Sequence, residues 1–326
     1  MITSFARVIL LLAVLACATP VPAQTPAEGF PSRPIKMIVP LTPGTTTDIV
    51  ARTIAERLGR QLGQTVLVEN RQGAGGLLAA QATLAAPPDG YTIMMVNSQH
   101  VINPAVNKAL PYDTLKDFAG LGLVGEAPSV VVVPPALGVR TLKEFIALAK
   151  QRPDFINYAS SGIGSQTHLA GAYFASQAGI SMVHVPYKNS SDVVSDILTS
   201  RVQATFVPAA FLLGQIREGK LLALAVTTKS AMRIPLEAPS VSDEGIPGFE
   251  YATWFGFVAP SKTPAPVVAR IAQALQAAAE DPEVKAKFLS LGIIPRVLGA
   301  REFDAYLRAD MERLAPVIKA AGVTPQ

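Results

Sequence analysis

VPLTPGTTTDIVAR, residues 39–52, joins an apolar run to the start of an amphipathic segment. The run that leads into it, IKMIVP, is typical of a buried strand, and apolar residues then recur at helical spacing over residues 48–62. Between the two, Pro43 and Gly44 predict a tight bend, which brings three consecutive threonines to the beginning of the helix. A helix start has unpaired amide groups and a partial positive charge. This turn therefore predicts either an ordinary helix cap or an anion site.

The same unit of strand, polar turn and helix recurs along the chain. Strands are predicted at TVLVEN, YTIMMVN, SVVVVPP, INYASS, MVHVPY, VQATFV, LLALAVTT and TWFGFVAP. Helices are predicted at GLLAAQATLAA, at TLKEFIALAKQ with Thr141 as its cap, at SQTHLAGAYFASQAG, after Ser190 or Ser191, and near Ala265–Ala279, Pro282–Leu291 and Ala300–Ala321. This alternation predicts an α/β protein whose parallel sheets are flanked by helices. Ligands of open α/β sheets bind at the carboxyl ends of strands, where the polar turns lie.

The glycine-rich turn NRQGAGGLLAAQ superficially resembles a dinucleotide-binding loop. Its spacing does not fit, because Leu78 occupies the position of the third glycine in that fingerprint and no phosphate-binding lysine follows. Gly75 and Gly76 therefore indicate a close approach of the backbone, either to a ligand or between strand and helix.

The turn YASSGIGSQTHLAG is the richest in hydroxyl groups. Ser160, Ser161, Ser165 and Thr167 surround two glycines where a strand meets a helix, a composition that favours a carboxylate cradle built from hydroxyls and amides. The G-x-S-x-G pattern of a nucleophile elbow is missing. A secreted serine hydrolase that uses Ser161 or Ser165 with His168 nevertheless remains an alternative. In the next polar turn, VPYKNSSD, Tyr187 ends a strand and is predicted to form a wall of a cleft.

Charge and histidine content exclude several classes of function. The chain of 326 residues has 28 basic and 24 acidic residues, and the basic ones are scattered, so a nucleic-acid partner is not predicted. Its three histidines are far apart in the sequence and no H-E-x-x-H motif occurs. We therefore predict no metal and no cofactor, and a site that holds a ligand rather than transforming it.

The first 23 residues have the pattern of a signal peptide. Arg7 precedes the apolar run VILLLAVLACA, and VPA then predicts cleavage after Ala23. The apolar run is too short to span a bilayer, which favours export to the periplasm over a retained anchor. The single cysteine, Cys17, lies within this leader, in a poor lipoprotein context, so the mature chain would contain no thiol.

The motifs occur in an order that identifies a family resemblance. FPSRPIKMIVP, GTTTDIVAR, VENRQGAGG, DGYTIMMVN, NYASSGIGSQTHLAG, VPYKNSSDVVSDIL and YATWFGFVAPSKTPAPVV follow one another along the whole mature chain. In this the chain resembles the extracytoplasmic solute receptors of tripartite tricarboxylate transporters, the Bug proteins. The resemblance implies a two-domain type II periplasmic binding protein, or Venus flytrap, with residues 24–127 plus 229–326 as a discontinuous first domain and residues 128–228 as the second.

The resemblance also implies a function and a site. A monomeric periplasmic receptor would capture a small aliphatic or aromatic mono- or dicarboxylate between its domains and deliver it to the integral membrane subunits of the transporter. A receptor that feeds a sensor kinase remains a further alternative. Carried over by position, the ligand-binding residues are Leu41, Thr42, Gly44, Thr45, Thr46, Asp48, Gly75, Gly76, Asn97, Ser98, Ser160, Ser161, Gly164, Ser165, Thr167 and Tyr187.

Three positions depart from the family pattern. Thr45 replaces a second glycine, Asn189 replaces the usual glycine after VPYK, and Ala204 stands where an aspartate is common. If that aspartate fixes a polar ligand, its absence predicts a less polar ligand or a roomier pocket, and disfavours an amino acid.

Overall fold

The computed structural model describes residues 29–323 apart from residues 189, 229, 231, 233 and 234. The predicted leader, with Cys17 and the cleavage site at Ala23, and the departure at Asn189 therefore lie outside the described residues. The strands are β1 (Ile35–Val39), β2 (Val66–Asn70), β3 (Thr92–Asn97), β4 (Phe118–Val133), β5 (Asn157–Ser160), β6 (Val183–Pro186), β7 (Ala204–Pro208), β8 (Leu222–Val226), β9 (Ala252–Pro260) and β10 (Ile294–Leu298).

Helices connect most of these strands, as the alternating pattern predicts. They are α1 (Thr46–Leu62), α2 (Leu77–Leu84), α3 (Gln99–Val106), α4 (Leu142–Gln151), α5 (Gln166–Ala178), α6 (Ser190–Leu198), α7 (Ala209–Arg217), α8 (Ala265–Glu280), α9 (Pro282–Ser290) and α10 (Ala300–Ala320). No helix in the described part of the chain is long and apolar enough to cross a membrane.

The helix ends show why the sequence divides at these points. In α1, Thr45 is the N-cap and Gly63 ends the helix in the left-handed conformation, with φ of 68°. Helix α4 begins with the predicted cap at Thr141, whose hydroxyl accepts from the amide of Glu144 while the Glu144 carboxylate accepts from the Thr141 amide. These local signals confirm both predicted helices to within two residues.

The strands form a continuous path in the order β2-β1-β3-β9-β4-β7-β5-β6, with β8 and β10 also paired to β4. Parallel pairing is confirmed for the outer strands, where β1 pairs with β2 and β3, and β5 pairs with β6 and β7. Strands β4 and β9 instead pair antiparallel, with each other and with β3, β7, β8 and β10. The resulting α/β architecture agrees with the type II periplasmic binding-protein class.

Strand β4 links two groups of strands. Its residues Phe118–Pro128 pair with β9, whereas the residues from Ser129 onward pair with β7 and β8. The predicted first boundary, at residue 128, therefore coincides with the point where β4 changes partners. The division into two domains itself stays a prediction.

The chain returns to the first group of strands later than the predicted boundary at residue 228. Phe249 stacks on Tyr173 of α5 with ring centroids 4.9 Å apart, and the Tyr251 hydroxyl donates to the carbonyl of Gln166. These contacts keep the segment before β9 against the second group of strands. The crossing back therefore falls at the start of β9, near Ala252.

Candidate functional site

A cavity of about 490 Å³ opens where the carboxyl ends of β1, β3, β5 and β7 meet. This volume lies within the range that encloses small-molecule ligands. Its lining consists of Leu41, Thr42, Pro43, Gly44, Thr45, Thr46, Thr47, Ile49, Asn97, Ser160, Ser161, Gln166, Thr167, Val193, Thr205, Val207, Pro208, Ala210, Phe211, Thr253 and Phe255. The two polar turns that the sequence singles out thus face the same cavity, one from each of the two groups of strands that β4 links.

The threonines of the first turn have different roles: one caps the helix and the others line the cavity. Thr45 caps α1: its Oγ1 accepts from the amide of Asp48 at 3.4 Å and donates to the Thr42 carbonyl at 2.9 Å. Thr47 Oγ1 accepts from the side-chain amide of Asn97 at 3.2 Å, and Thr46 also lines the cavity. One hydroxyl is therefore enough for the cap, and the first turn of α1 offers its remaining polar groups to the cavity.

Asp48 shapes this turn but does not line the cavity. Its carboxylate is 2% exposed and accepts hydrogen bonds from the Gly44 amide, from Arg52 Nε and from Asn70 Nδ2, at 2.8 to 3.1 Å. Burial by itself would raise the pKa of Asp48, but the hydrogen bonds from Arg52, Asn70 and Gly44 outweigh it and hold the pKa below its usual value. Asp48 is consequently ionised, with both oxygens occupied by the protein itself.

The second turn brings three hydroxyl groups together. Ser165 caps α5 by accepting from the amide of His168 at 3.2 Å. Thr167 Oγ1 lies 3.0 Å from Ser161 Oγ and 3.1 Å from Ser165 Oγ, and accepts from the Ser161 amide at 2.9 Å. Because hydroxyls can reorient, this cluster can present donors to an anion without any charged side chain.

The histidines near this turn are arranged for packing. The His168 and His184 rings stack with centroids 3.7 Å apart, and Ser160 Oγ lies 2.5 Å from His184 Nε2. Burial lowers the pKa of each to about 4, and in His168 the neighbouring His184 lowers it further. Nδ1 of His168 accepts from the Gly164 amide at 3.1 Å.

This geometry does not favour the serine hydrolase alternative. Ser165 Oγ is hydrogen-bonded to the backbone amide of His168 rather than to its ring. The Ser161 hydroxyl is paired with Thr167, so neither of the two serines of the predicted hydrolase forms the serine–imidazole pair with His168 that would activate a nucleophile. The serine that does contact an imidazole, Ser160 with His184, is 1% exposed. Among the described residues, no three His, Cys, Asp or Glu side chains are grouped closely enough to hold a metal ion.

Gly75, Gly76 and Ser98, which were predicted as ligand contacts, lie beside the cavity rather than in its lining. Gly75 and Gly76 border a separate space of about 10 Å³, which has room for a single water molecule. The Gly75 carbonyl accepts from Asn103 Nδ2, and Ser98 Oγ accepts from the amide of Trp254 at 3.2 Å. Ser98 is 3% exposed and supports the backbone of β9.

Three residues predicted as ligand contacts in or near the second turn are also outside the cavity lining. Gly164 has φ of 71° and packs so closely on Val106 that a Cβ would lie 3.1 Å from it. Ser165 is the helix cap described above. The Tyr187 hydroxyl donates to Asp196 Oδ2 at 2.8 Å instead of reaching the cavity. These residues position the turns, and their assignment as ligand contacts stays a prediction.

The structure does not support the prediction, made from Ala204, of a less polar ligand or a roomier pocket. Ala204 is fully buried in the core with Tyr158 and Phe206, on the face of β7 that points away from the cavity. The alternate residues of that strand, Thr205 and Val207, line the cavity instead. An aspartate at position 204 would therefore not reach the ligand, and its absence says nothing about ligand polarity.

Sequence reasoning missed much of the cavity wall. The lining residues not predicted are Pro43, Thr47, Ile49, Gln166, Val193, Thr205, Val207, Pro208, Ala210, Phe211, Thr253 and Phe255. Most are apolar, and a search for hydroxyl-rich turns passes over them. Several of them could have been found from the predicted strand β7. It pairs parallel with β5, so its carboxyl end, at Pro208, lies at the same edge of the sheet as Ser160.

Two polar lining residues have unpaired atoms. Thr253 is 3% exposed and its Oγ1 has no hydrogen-bond partner; the same is true of Gln166 Nε2. A buried polar group without a partner is costly, so these two atoms are available to hydrogen-bond a ligand or a water molecule in the cavity. None of the described lining residues has an ionisable side chain.

Comparison with known proteins gives a consistent result. A profile of the family described as "Tripartite tricarboxylate transporter family receptor" matches residues 50–323. Protein BugT of Bordetella pertussis is 30% identical over 318 residues, which cover 97% of this chain and 98% of that protein. The structure of R. palustris Rpa4515 with adipate is similar with a TM-score of 0.83, at 30% identity, over 91% of this chain and 100% of that one. The structure of periplasmic binding protein BugD is similar with a TM-score of 0.79, at 32% identity, over 91% and 100% of the two chains.

Proposed function

This chain belongs to the family of tripartite tricarboxylate transporter receptors, and on that premise we propose that its cavity captures a small organic acid by a carboxylate group. Solute-binding receptors are what the family contains, and the related structure of Rpa4515 was solved with a dicarboxylate, adipate. Periplasmic location follows from the same relatives.

The observation that supports this proposal most directly is the meeting of two helix starts in one cavity. Helices α1 and α5 both begin at its wall, and Thr45 and Ser165 cap only one amide of each. Amides of a first helical turn and the hydroxyls of Thr46 and Ser161 are donors suited to a carboxylate. Neutral donors of this kind bind an anion without the high desolvation cost of burying a lysine or arginine.

Closure of two lobes would couple binding to transport. We propose that the lobes move about β4 and β9, and that a ligand held by both turns stabilises the closed form, which the membrane subunits of the transporter then recognise. The receptor acts as a monomer after cleavage near Ala23, and it does not transform its ligand. A receptor for a sensor kinase would require the same cavity and differ only in its partner.

Binding can be tested on the mature protein by thermal-shift screening against mono-, di- and tricarboxylates, because a ligand of the folded state raises its melting temperature. The double variant Ser161→Ala with Thr46→Ala is expected to lose most of the affinity for the acid that stabilises the wild type. Ser176→Ala, an exposed serine of α5, is the matched control and should bind normally. Undiminished binding by the double variant would contradict the proposed site.

A further inference from the structure

One wall of the cavity is apolar over a continuous set of elements. Val193 of α6, Val207 and Pro208 at the end of β7, Phe211 of α7 and Phe255 of β9 all line it, and we call these five residues the apolar wall. Val193, Val207 and Phe255 are each no more than 5% exposed, so they are fixed in the cores beneath them. A wall of this kind packs against hydrocarbon and cannot solvate a charge.

The polar donors are concentrated elsewhere in the cavity. Thr42, Thr46, Ser161, Gln166 and Thr167 come from the two turns at the starts of α1 and α5. Since none of the described lining residues is ionisable, these turns are where one negative charge is best satisfied.

A second carboxylate would meet few donors at the apolar wall. Its donors there would be the Thr253 hydroxyl and the uncapped first amides of α7, whereas the two turns together offer two helix starts and several hydroxyls. Burying a second charge there without several good hydrogen bonds opposes binding, whereas burying methylene or aromatic carbon favours it.

We propose that the ligand is a monocarboxylate with an apolar body, its carboxylate at the α1 and α5 turns and its hydrocarbon against the apolar wall. This inference rests on the proposed function and narrows it from organic acids in general to acids with a single charged end. Phe211 is its specificity-determining residue, since this side chain is only partly buried and contacts the cavity from α7.

The test is isothermal titration of the mature protein with propanoate, butanoate, pentanoate and hexanoate, and with adipate as the six-carbon dicarboxylate. Affinity is expected to rise about fourfold for each added methylene, and adipate is expected to bind at least about tenfold more weakly than hexanoate. Adipate binding as tightly as hexanoate, or an affinity that does not change with chain length, overturns the inference and leaves the proposed function standing. If no acid of either class binds, the proposed function is contradicted, and this inference with it.

Variants of the apolar wall provide the second measurement. Phe211→Ala is expected to weaken hexanoate about tenfold or more, whereas propanoate should change less, because its shorter chain buries less carbon against the wall. Phe211→Leu is the matched control and should retain hexanoate. Should Phe211→Ala prove unfolded by circular dichroism, Val207→Thr replaces it, because this near-isosteric change replaces one methyl group of the wall by a hydroxyl. Equal loss of propanoate and hexanoate, or no loss of either, contradicts the proposal.

Discussion

Lowering the pH from 8 to 5 is expected to destabilise the folded protein, because folding buries its histidines in the neutral form. His100 is 4% exposed, packs edge-on against Phe118 at 5.1 Å, and its Nε2 has no hydrogen-bond partner. Burial lowers the pKa of His100 from 6.5 to about 4. The unfolded chain therefore binds protons more strongly than the folded one between these two values. Stability is full above pH 6.5 and is lost as the pH falls toward 4.

The size of the effect follows from the two pKa values. With a pKa of 6.5 in the unfolded state and about 4 in the folded state, His100 alone removes about 2 kcal/mol of unfolding free energy at pH 5 and about 3 kcal/mol at the acid limit. His168 and His184 act in the same direction, since burial also lowers their pKa to about 4. Their rings are stacked, so the loss from the pair is shared rather than additive.

Urea unfolding at pH 8 and at pH 5 measures this loss in wild type and in His100→Phe, which keeps an aromatic ring in contact with Phe118. The decrease in unfolding free energy between the two pH values is expected to be about 2 kcal/mol smaller in the variant. Comparing the decreases, rather than the stabilities themselves, removes any pH-independent packing cost of the substitution. An equal decrease in both proteins would refute the reasoning.

Two further predictions concern residues outside the cavity lining. Asp48→Asn is expected to weaken ligand binding about tenfold or more, because the Gly44 amide and Arg52 lose a charged acceptor and the turn loses its shape; titration of the wild-type ligand measures it, and unchanged affinity would exclude this positioning role. Gly171→Ala is expected to cost about 1–3 kcal/mol, because its Cβ would lie 2.4 Å from Tyr158 Cε2; urea unfolding tests this, and wild-type stability would show that the ring can move aside.

Local signals in the sequence were sufficient for much of the fold. Helix α1 ends at Leu62 as predicted and begins at Thr46, two residues before the predicted start, and α4 begins directly after its predicted cap, Thr141. The two turns that face the cavity, with Thr46 and Ser161, were also found from the sequence, because a hydroxyl-rich turn at a strand end is a local pattern.

Elements without such local signals were missed. Only the end of β4 was predicted, because its first half, FAGLGLVGEAP, contains glycines and a proline that are typical of loops. Helix α3 contains Pro104, and α7 follows β7 directly, without a polar turn to mark it. Strand β10 was also missed; it pairs with β4 across some 170 residues of sequence, a contact that no local pattern encodes.

The site was incompletely predicted for a related reason. Phe211 and Phe255 look like ordinary core residues in the sequence, and only the tertiary structure brings them to one cavity. Conversely, Asp48 and Tyr187 have polar side chains in the predicted turns, but these side chains are already hydrogen-bonded to other groups of the protein. Which face of an element looks onto a cleft depends on the packing of distant strands.

The single tryptophan of the chain, Trp254, sits in β9 between Thr253 and Phe255, both of which line the cavity. Its indole is fully buried on the opposite face of the strand, where Nε1 donates to Asp310 at 2.7 Å and the ring meets Phe303 edge-on. The protein thus contains a single indole fluorophore, in a strand that also carries two residues of the cavity lining. Its emission is therefore expected to change when a ligand contacts Thr253 or Phe255, and no other indole of the chain contributes to the signal.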